Sequence, residues 1–155
     1  MSRAFIKEPE GQDFFEDLPD RPISEHPNFV TANGLALIEA ALERAHREHA
    51  TAQAANDRAG MARAARELRY WNARRASAQV IPATADTLVV QFGSRVTIER
   101  GDGRRQTYSI VGEDEAEPRH GTISHASPLA RSLRGRCVGD VVRVAGHDTE
   151  ILAIE

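Results

Sequence analysis

The sequence predicts an α+β chain: an N-terminal antiparallel coiled-coil hairpin, then a small antiparallel sheet domain with one short helix. Three observations predict it. Two Ala- and Arg-rich stretches between residues 31 and 79 hold no proline and repeat apolar residues at spacings of three and four. After about residue 95 that period gives way to strict alternation. Glycine-rich turn signals then separate the alternating runs.

The elements follow in chain order. Residues 1–30 hold three basic and seven acidic residues, with Pro9, Pro19, Pro22 and Pro27. Such a segment buries little surface and reads as an acidic extended or disordered arm. Phe14, Phe15, Ile23 and Phe29 can still dock locally. The arm can cover the more basic segment that follows or bind a partner, and the sequence leaves both open.

Residues 31–79 read as the antiparallel helical hairpin. Thr31 or Asn33 can cap the first helix, because a short polar side chain satisfies free backbone amides there. Its seam runs Leu35, Ile38, Leu42, Ala45, His49, Ala52, the spacing of a coiled coil. The second helix repeats the spacing with Met61, Ala64, Leu68, Trp71, Arg75 and Ala78. Leu35, Ile38, Leu68 and Trp71 make the firmer packing at the base, and small residues let the helices approach near the tip. At ~1.5 Å per residue, each arm of about 20 residues spans roughly 30 Å. The tip is AANDRAG, residues 54–60, with the bend at residues 55–59 and Asn56, Asp57 and Arg58 at its centre. His46 and His49 stand three apart without further ligands at their level, so they read as solvated or seam-edge histidines. Arg58, Arg63, Arg66, Arg69, Arg74 and Arg75 form either a solvated face or a stripe for an anionic surface.

Residues 80–155 read as the sheet domain. Leu88–Phe92 is a mostly apolar run. RVTIER at 95–100, GDG at 101–103 and QTYSIV at 106–111 make a β-hairpin by pattern. EDEAEPRHG at 113–121 is a polar loop, followed by a short strand at 122–124. SPLARSLRG at 127–135 has serine as cap, proline at the first helical position and glycine past the end, which defines a short helix. VGDVVRVAG and DTEILAIE close the sheet around Gly146-His147-Asp148.

Composition excludes several classes. The formal net charge is −3, so the chain lacks the bulk basic character of a nucleic-acid binder, and weak or no direct DNA binding is expected. One cysteine, Cys137, excludes an internal disulfide framework and fits a reducing cytosol. The first residues lack the apolar run of a signal peptide, and no stretch approaches the ~18 apolar residues of a membrane span. A cytoplasmic monomer without a cofactor or bound metal is the expectation, with no membrane association.

The run IVGEDEAEPRHGTISHASPLARSLRGRCVGDVVRV resembles the C-terminal domain of the bacterial Gre transcript cleavage factors, GreA and GreB. The matching positions are Ile110-Val111-Gly112, Asp114-Glu115-Ala116, Pro118, Gly121, Ile123-Ser124, Ser127-Pro128, Ala130-Arg131, Leu133, Gly135 and Val138-Gly139-Asp140. VTANGLALIEAAL at 30–42 is similar to the family's (T/S)-x-x-G-x-x-x-L opening. The resemblance covers residues 28–155. It implies a coiled coil followed by a domain similar to FK506-binding proteins. It also implies docking at the rim of the bacterial RNA polymerase secondary channel, with the hairpin reaching inward. Asp114, Glu115, Pro118, Ser127, Pro128 and Arg131 fall in the part implied to dock.

In cleaving members an acidic tip motif helps to hold a second Mg²⁺ for hydrolysis of backtracked RNA. That chemistry needs several oxygen ligands in a fixed cluster. Here Asp57 is followed by Arg58-Ala59-Gly60-Met61, and the next acids, Glu48 and Glu67, lie about ten residues away on the arms. The second helix also lacks roughly a dozen residues relative to the cleaving factors, or ~18 Å of reach. The chain resembles short-hairpin relatives, including the regulator of nucleoside diphosphate kinase. The expected function is a Gre-like elongation regulator that binds polymerase and is not itself an enzyme, with no catalytic residue. Two alternatives stay open: a cleavage factor using Asp57, or an adaptor or inhibitor of another protein, such as a nucleoside diphosphate kinase.

Overall fold

The structure, a computed structural model, describes residues 18–155. Phe14, Phe15 and the first part of the acidic arm lie outside the described residues.

Two helices, α1 (Ala32–Ala54) and α2 (Arg58–Ser77), form the hairpin. Thr31 starts α1: its hydroxyl accepts the Gly34 amide at 3.0 Å, relieving one of the amides that a helix start leaves unpaired. The seam buries Ile38, Ala41, Ala45 and Ala52 from α1 and Ala64 from α2. Leu35, Leu42, His49, Met61 and Leu68 are half-buried. Alanine dominates this seam, so the helices gain close approach rather than large apolar area. Two short strands, β1 (Phe29–Val30) and β2 (Gln79–Val80), pair in parallel just outside the helix ends and clip the base together.

Two expectations for the second helix are corrected. Arg75 is not a seam residue: it is exposed and pairs with Glu39 at 2.9 Å. The buried arginine is its neighbour Arg74, at 2% exposure, because that position faces the sheet domain. Trp71 is half-buried, lying edge-on to Tyr70 with ring centres 4.9 Å apart, so it is not a core anchor.

The sheet domain contains β3 (Arg95–Arg100), β4 (Arg105–Val111), β5 (Thr122–Ser124), the short helix α3 (Pro128–Leu133), β6 (Val141–Val144) and β7 (His147–Ile154). The strand order is β5-β4-β3-β7-β6. Pairing is antiparallel except between β4 and β5. A register shift between Thr97 and Ile98 marks a bulge against β7. Val96 and Ile98 share the inward face of β3, as their alternation requires. They pack with Ile110, Ile123, Leu133, Val142, Ile151 and Ile154 in one core under α3. The β6–β7 link is two residues, Ala145 and Gly146, both at positive φ, the backbone that a tight hairpin demands.

The run Leu88–Phe92 forms no strand. Only Val90 is buried, at 1% exposure. It exchanges backbone bonds with Arg136 and Gly135, each at 2.8 Å. Leu88 is 76% exposed. Among the described residues, no helix is long and apolar enough to cross a membrane.

Candidate functional site: the hairpin tip and its carboxylate-held base

At the tip, Ala55–Asp57 connect the two helices, and Asn56 takes positive φ. Asp57 is the cap of α2: its Oδ1 accepts the Gly60 amide at 2.9 Å. A side chain at Gly60 would place Cβ 2.3 Å from Asp57 Oδ2 and 3.0 Å from the Ala52 methyl. Glycine there lets the cap fold over the helix start. The tip aspartate is thus built into the turn, a role that an aspartate placed directly before a helical run could have signalled. Arg58 is exposed beside it.

An open groove of about 590 Å³ runs down one side of the tip, with Arg44, Arg47, Glu48, Asp57 and Arg63 on its walls. Asp57 and Glu48 are its two acids. Among the described residues no group of three or more His, Cys, Asp or Glu side chains could hold a metal ion. With Oδ1 of Asp57 already bonded to an amide, the tip does not fit a shared divalent metal.

The base is different. Asp114 and Glu115 sit in a 3-10 turn at Glu113–Glu115 within the polar loop, and their side chains face the hairpin. Asp114 accepts Arg74 Nε at 2.5 Å and the Tyr70 hydroxyl at 2.5 Å. Arg74 Nη2 also donates to Asn28 Oδ1 at 2.7 Å, and Asn28 returns a bond to the Arg74 carbonyl at 2.8 Å. Burial, reinforced by the Asp114 bond, pushes the Tyr70 phenol up to about 12, so it stays a donor. Glu115 reaches the other helix, accepting the Thr31 amide at 3.1 Å and the Thr31 hydroxyl at 2.5 Å. A Cβ on Gly34 would lie 1.8 Å from Glu115 Oε2. Adjacent carboxylates of one loop therefore hold the start of α1 and the end of α2, and they fix the hairpin against the sheet.

Periodicity gave no sign of Tyr70, Arg74 or Asn28 as members of this joint. One nearby feature completes it. His125 packs between Phe29 and Phe92, at 5.3 and 5.6 Å between ring centres. Its Nε2 is buried without a hydrogen-bond partner. Burial draws its pKa down, with the Glu113 charge opposing.

The other expected docking residues lie elsewhere. Pro118 opens an exposed turn. Ser127 caps α3 through the Ala130 amide at 3.2 Å. Pro128 and Arg131 are exposed on α3.

Comparison with known proteins is consistent in family. The family model for the C-terminal part of the transcription elongation factors GreA/GreB matches residues 85–155. The transcription elongation factor GreA of Desulfovibrio desulfuricans is 42% identical over 125 residues, spanning 78% of this chain and 72% of the relative. GreA of Solidesulfovibrio magneticus is 41% identical over 127 residues, spanning 81% and 74%. Among solved structures, GreA factor homolog 1 of Thermus thermophilus aligns over 84% of this chain and 99% of its own. Its TM-score is 0.41 at 22% identity.

Proposed function

The chain belongs to the GreA/GreB family of transcription elongation factors, and on that premise we propose that it binds bacterial RNA polymerase and presents its hairpin to the secondary channel without stimulating transcript cleavage. The observation that carries this reading is the tip. Its one aspartate is engaged as a helix cap, and among the described residues no group of three or more His, Cys, Asp or Glu side chains could hold a metal ion. A two-metal hydrolysis needs a preformed oxygen cluster, and a capping carboxylate supplies one atom of it at most. The protein then acts as a regulator, not as an enzyme.

The exposed face of α3, with Pro128 and Arg131, and the exposed turn at Pro118 serve as docking surface. Ser127 shapes that face by capping the helix. Asp114 and Glu115 serve docking from within, by fixing the direction in which the hairpin leaves the docked domain. With 23 residues in α1, the hairpin reaches about 35 Å from its base. The cytoplasm is the place of work, and direct DNA binding is weak.

The test is a backtracked elongation complex, incubated with this protein, with an authentic cleavage factor, and with both. The expected result is no added cleavage from this protein alone and reduced cleavage when it competes. Cleavage stimulated by the native chain and lost in Asp57→Asn would overturn the reading, because asparagine keeps the cap but removes the charge.

A further inference from the structure

The last described residues of the arm run along α2 in a definite direction. Asn28 bonds at the base, to Arg74 and Ser77. Arg21 lies over the Tyr70 ring at 3.7 Å from its centre and pairs with Glu67 at 2.7 Å. Asp20 pairs with Arg69, and the Leu18 carbonyl accepts a second bond from Arg69 at 3.4 Å. From Asn28 to Arg21 the contacts climb α2 from Ser77 to Glu67, towards the tip, and Asp20 and Leu18 then stay beside Arg69.

Ahead of Leu18 lie 17 residues with two basic and five acidic side chains: Glu8, Glu10, Asp13, Glu16 and Asp17. Ahead of Arg69 on α2 lies the cationic half of the hairpin. Arg63 stands four residues before Glu67 and Arg66 three before Arg69, the spacing that continues the same helix face. Arg66 Nε is buried with no hydrogen-bond partner among the described residues. Arg63 also lines the 590 Å³ groove with Arg44 and Arg47. Among the described residues, Arg44, Arg63 and Arg66 take part in no ion pair. From Arg69 to the start of α2 at Arg58 is about 17 Å of helix, and 17 extended residues reach up to about 56 Å.

We propose that the acidic segment 1–17 of this chain is the occupant of the arginine-lined face and groove of the distal hairpin, where it shields the arginines from other anions. The described strap at 18–28 delivers the segment to that face, and charge complementarity holds it there. The contact is intramolecular, so modest electrostatic attraction suffices. It weakens with salt, as exposed charge contacts do. Occupancy does not depend on polymerase binding, and its test uses none.

The experiment uses the full chain, comparing native protein with a variant carrying Glu8→Gln, Glu10→Gln, Asp13→Asn, Glu16→Gln and Asp17→Asn. The probe is a 20-nucleotide oligouridylate, and amide NMR signals of the hairpin are read in parallel. The expected result is about tenfold tighter probe binding at low salt, together with shifts confined to residues 44–66. Both changes should vanish when Arg44, Arg63 and Arg66 are replaced by Gln. Unchanged hairpin signals would overturn the proposal, whatever the probe affinity, since bulk charge alone would then be acting. A tightening that survives in the Arg→Gln background would overturn it too, by placing the acids elsewhere.

Discussion

Two carboxylates mark the two ends of the hairpin. At the tip, Asp57 accepts one amide bond in an exposed turn. At the base, the Asp114 side chain is only 9% exposed and is held by an arginine itself only 2% exposed. The tip acid stays near water and completes a turn. The base acid has left water, and Arg74, Tyr70 and Asn28 replace the lost hydration. An acid's identity therefore says little about its work until its neighbours are known. The same residue type serves local backbone closure at one end and the joint between two substructures at the other.

The largest expected effect comes from breaking the base. Arg74→Ala leaves Asp114 buried without its counter-charge and should cost about 3–5 kcal/mol. Urea unfolding followed by circular dichroism measures it. A second variant, Arg74→Met with Asp114→Leu, should recover most of that loss, because a packed apolar pair replaces a buried ion pair at little net cost. If Arg74→Ala costs under about 1 kcal/mol, the joint is loose and the hairpin direction is not set by it. A smaller loss, about 1–2 kcal/mol, is expected for Thr31→Ala, which removes the α1 cap and one Glu115 bond together.

The base also explains what was legible in the sequence and what was not. The hairpin, the β3–β4 pair and α3 follow from short-range rules, so period, cap and turn residues reveal them. Gly34 was visible only as part of a Thr31-x-x-Gly34 opening. Its reason, the seat of Glu115 over the helix start, spans 84 residues of sequence. Arg74 groups by pattern with arginines that read as either a solvated face or a stripe for an anionic surface, because its partner, Asp114, lies 40 residues away. Periodicity carries no information on a charge that crosses between substructures. Leu88–Phe92 shows the reverse case: of a mostly apolar run only Val90 is inserted into the core, and Leu88 is left 76% exposed.

His125 sharpens the comparison through pH. Its folded-state pKa is lowered by burial, so folding favours the neutral ring. That contribution is fully present above the ordinary histidine value of about 6.5. It is lost as pH falls below that value, until the folded-state pKa is passed. The charged groups acting on the ring are Glu113, His26 and Arg134. Urea midpoints at pH 7.5 and 5.5 should show a drop in the native chain that is reduced in His125→Phe. An equal drop in both would remove the joint as its source.

The smallest effects belong to the tip, and they decide what its aspartate is for. Asp57→Ala should cost about 1 kcal/mol, the worth of a helix cap, whereas Asp57→Asn should fall within a few tenths of native because asparagine caps equally well. Both follow from thermal unfolding monitored at the helix signal. The pair separates shape from charge. If Asn behaves as native in stability and in competition at polymerase, while Ala is impaired in both, the tip works by keeping its turn closed. If Asn matches native stability but loses the polymerase effect, the charge itself makes a contact that the capping geometry leaves open through Oδ2. The second result would bring the two ends of the hairpin closer in kind, each then using a carboxylate to hold something outside its own turn.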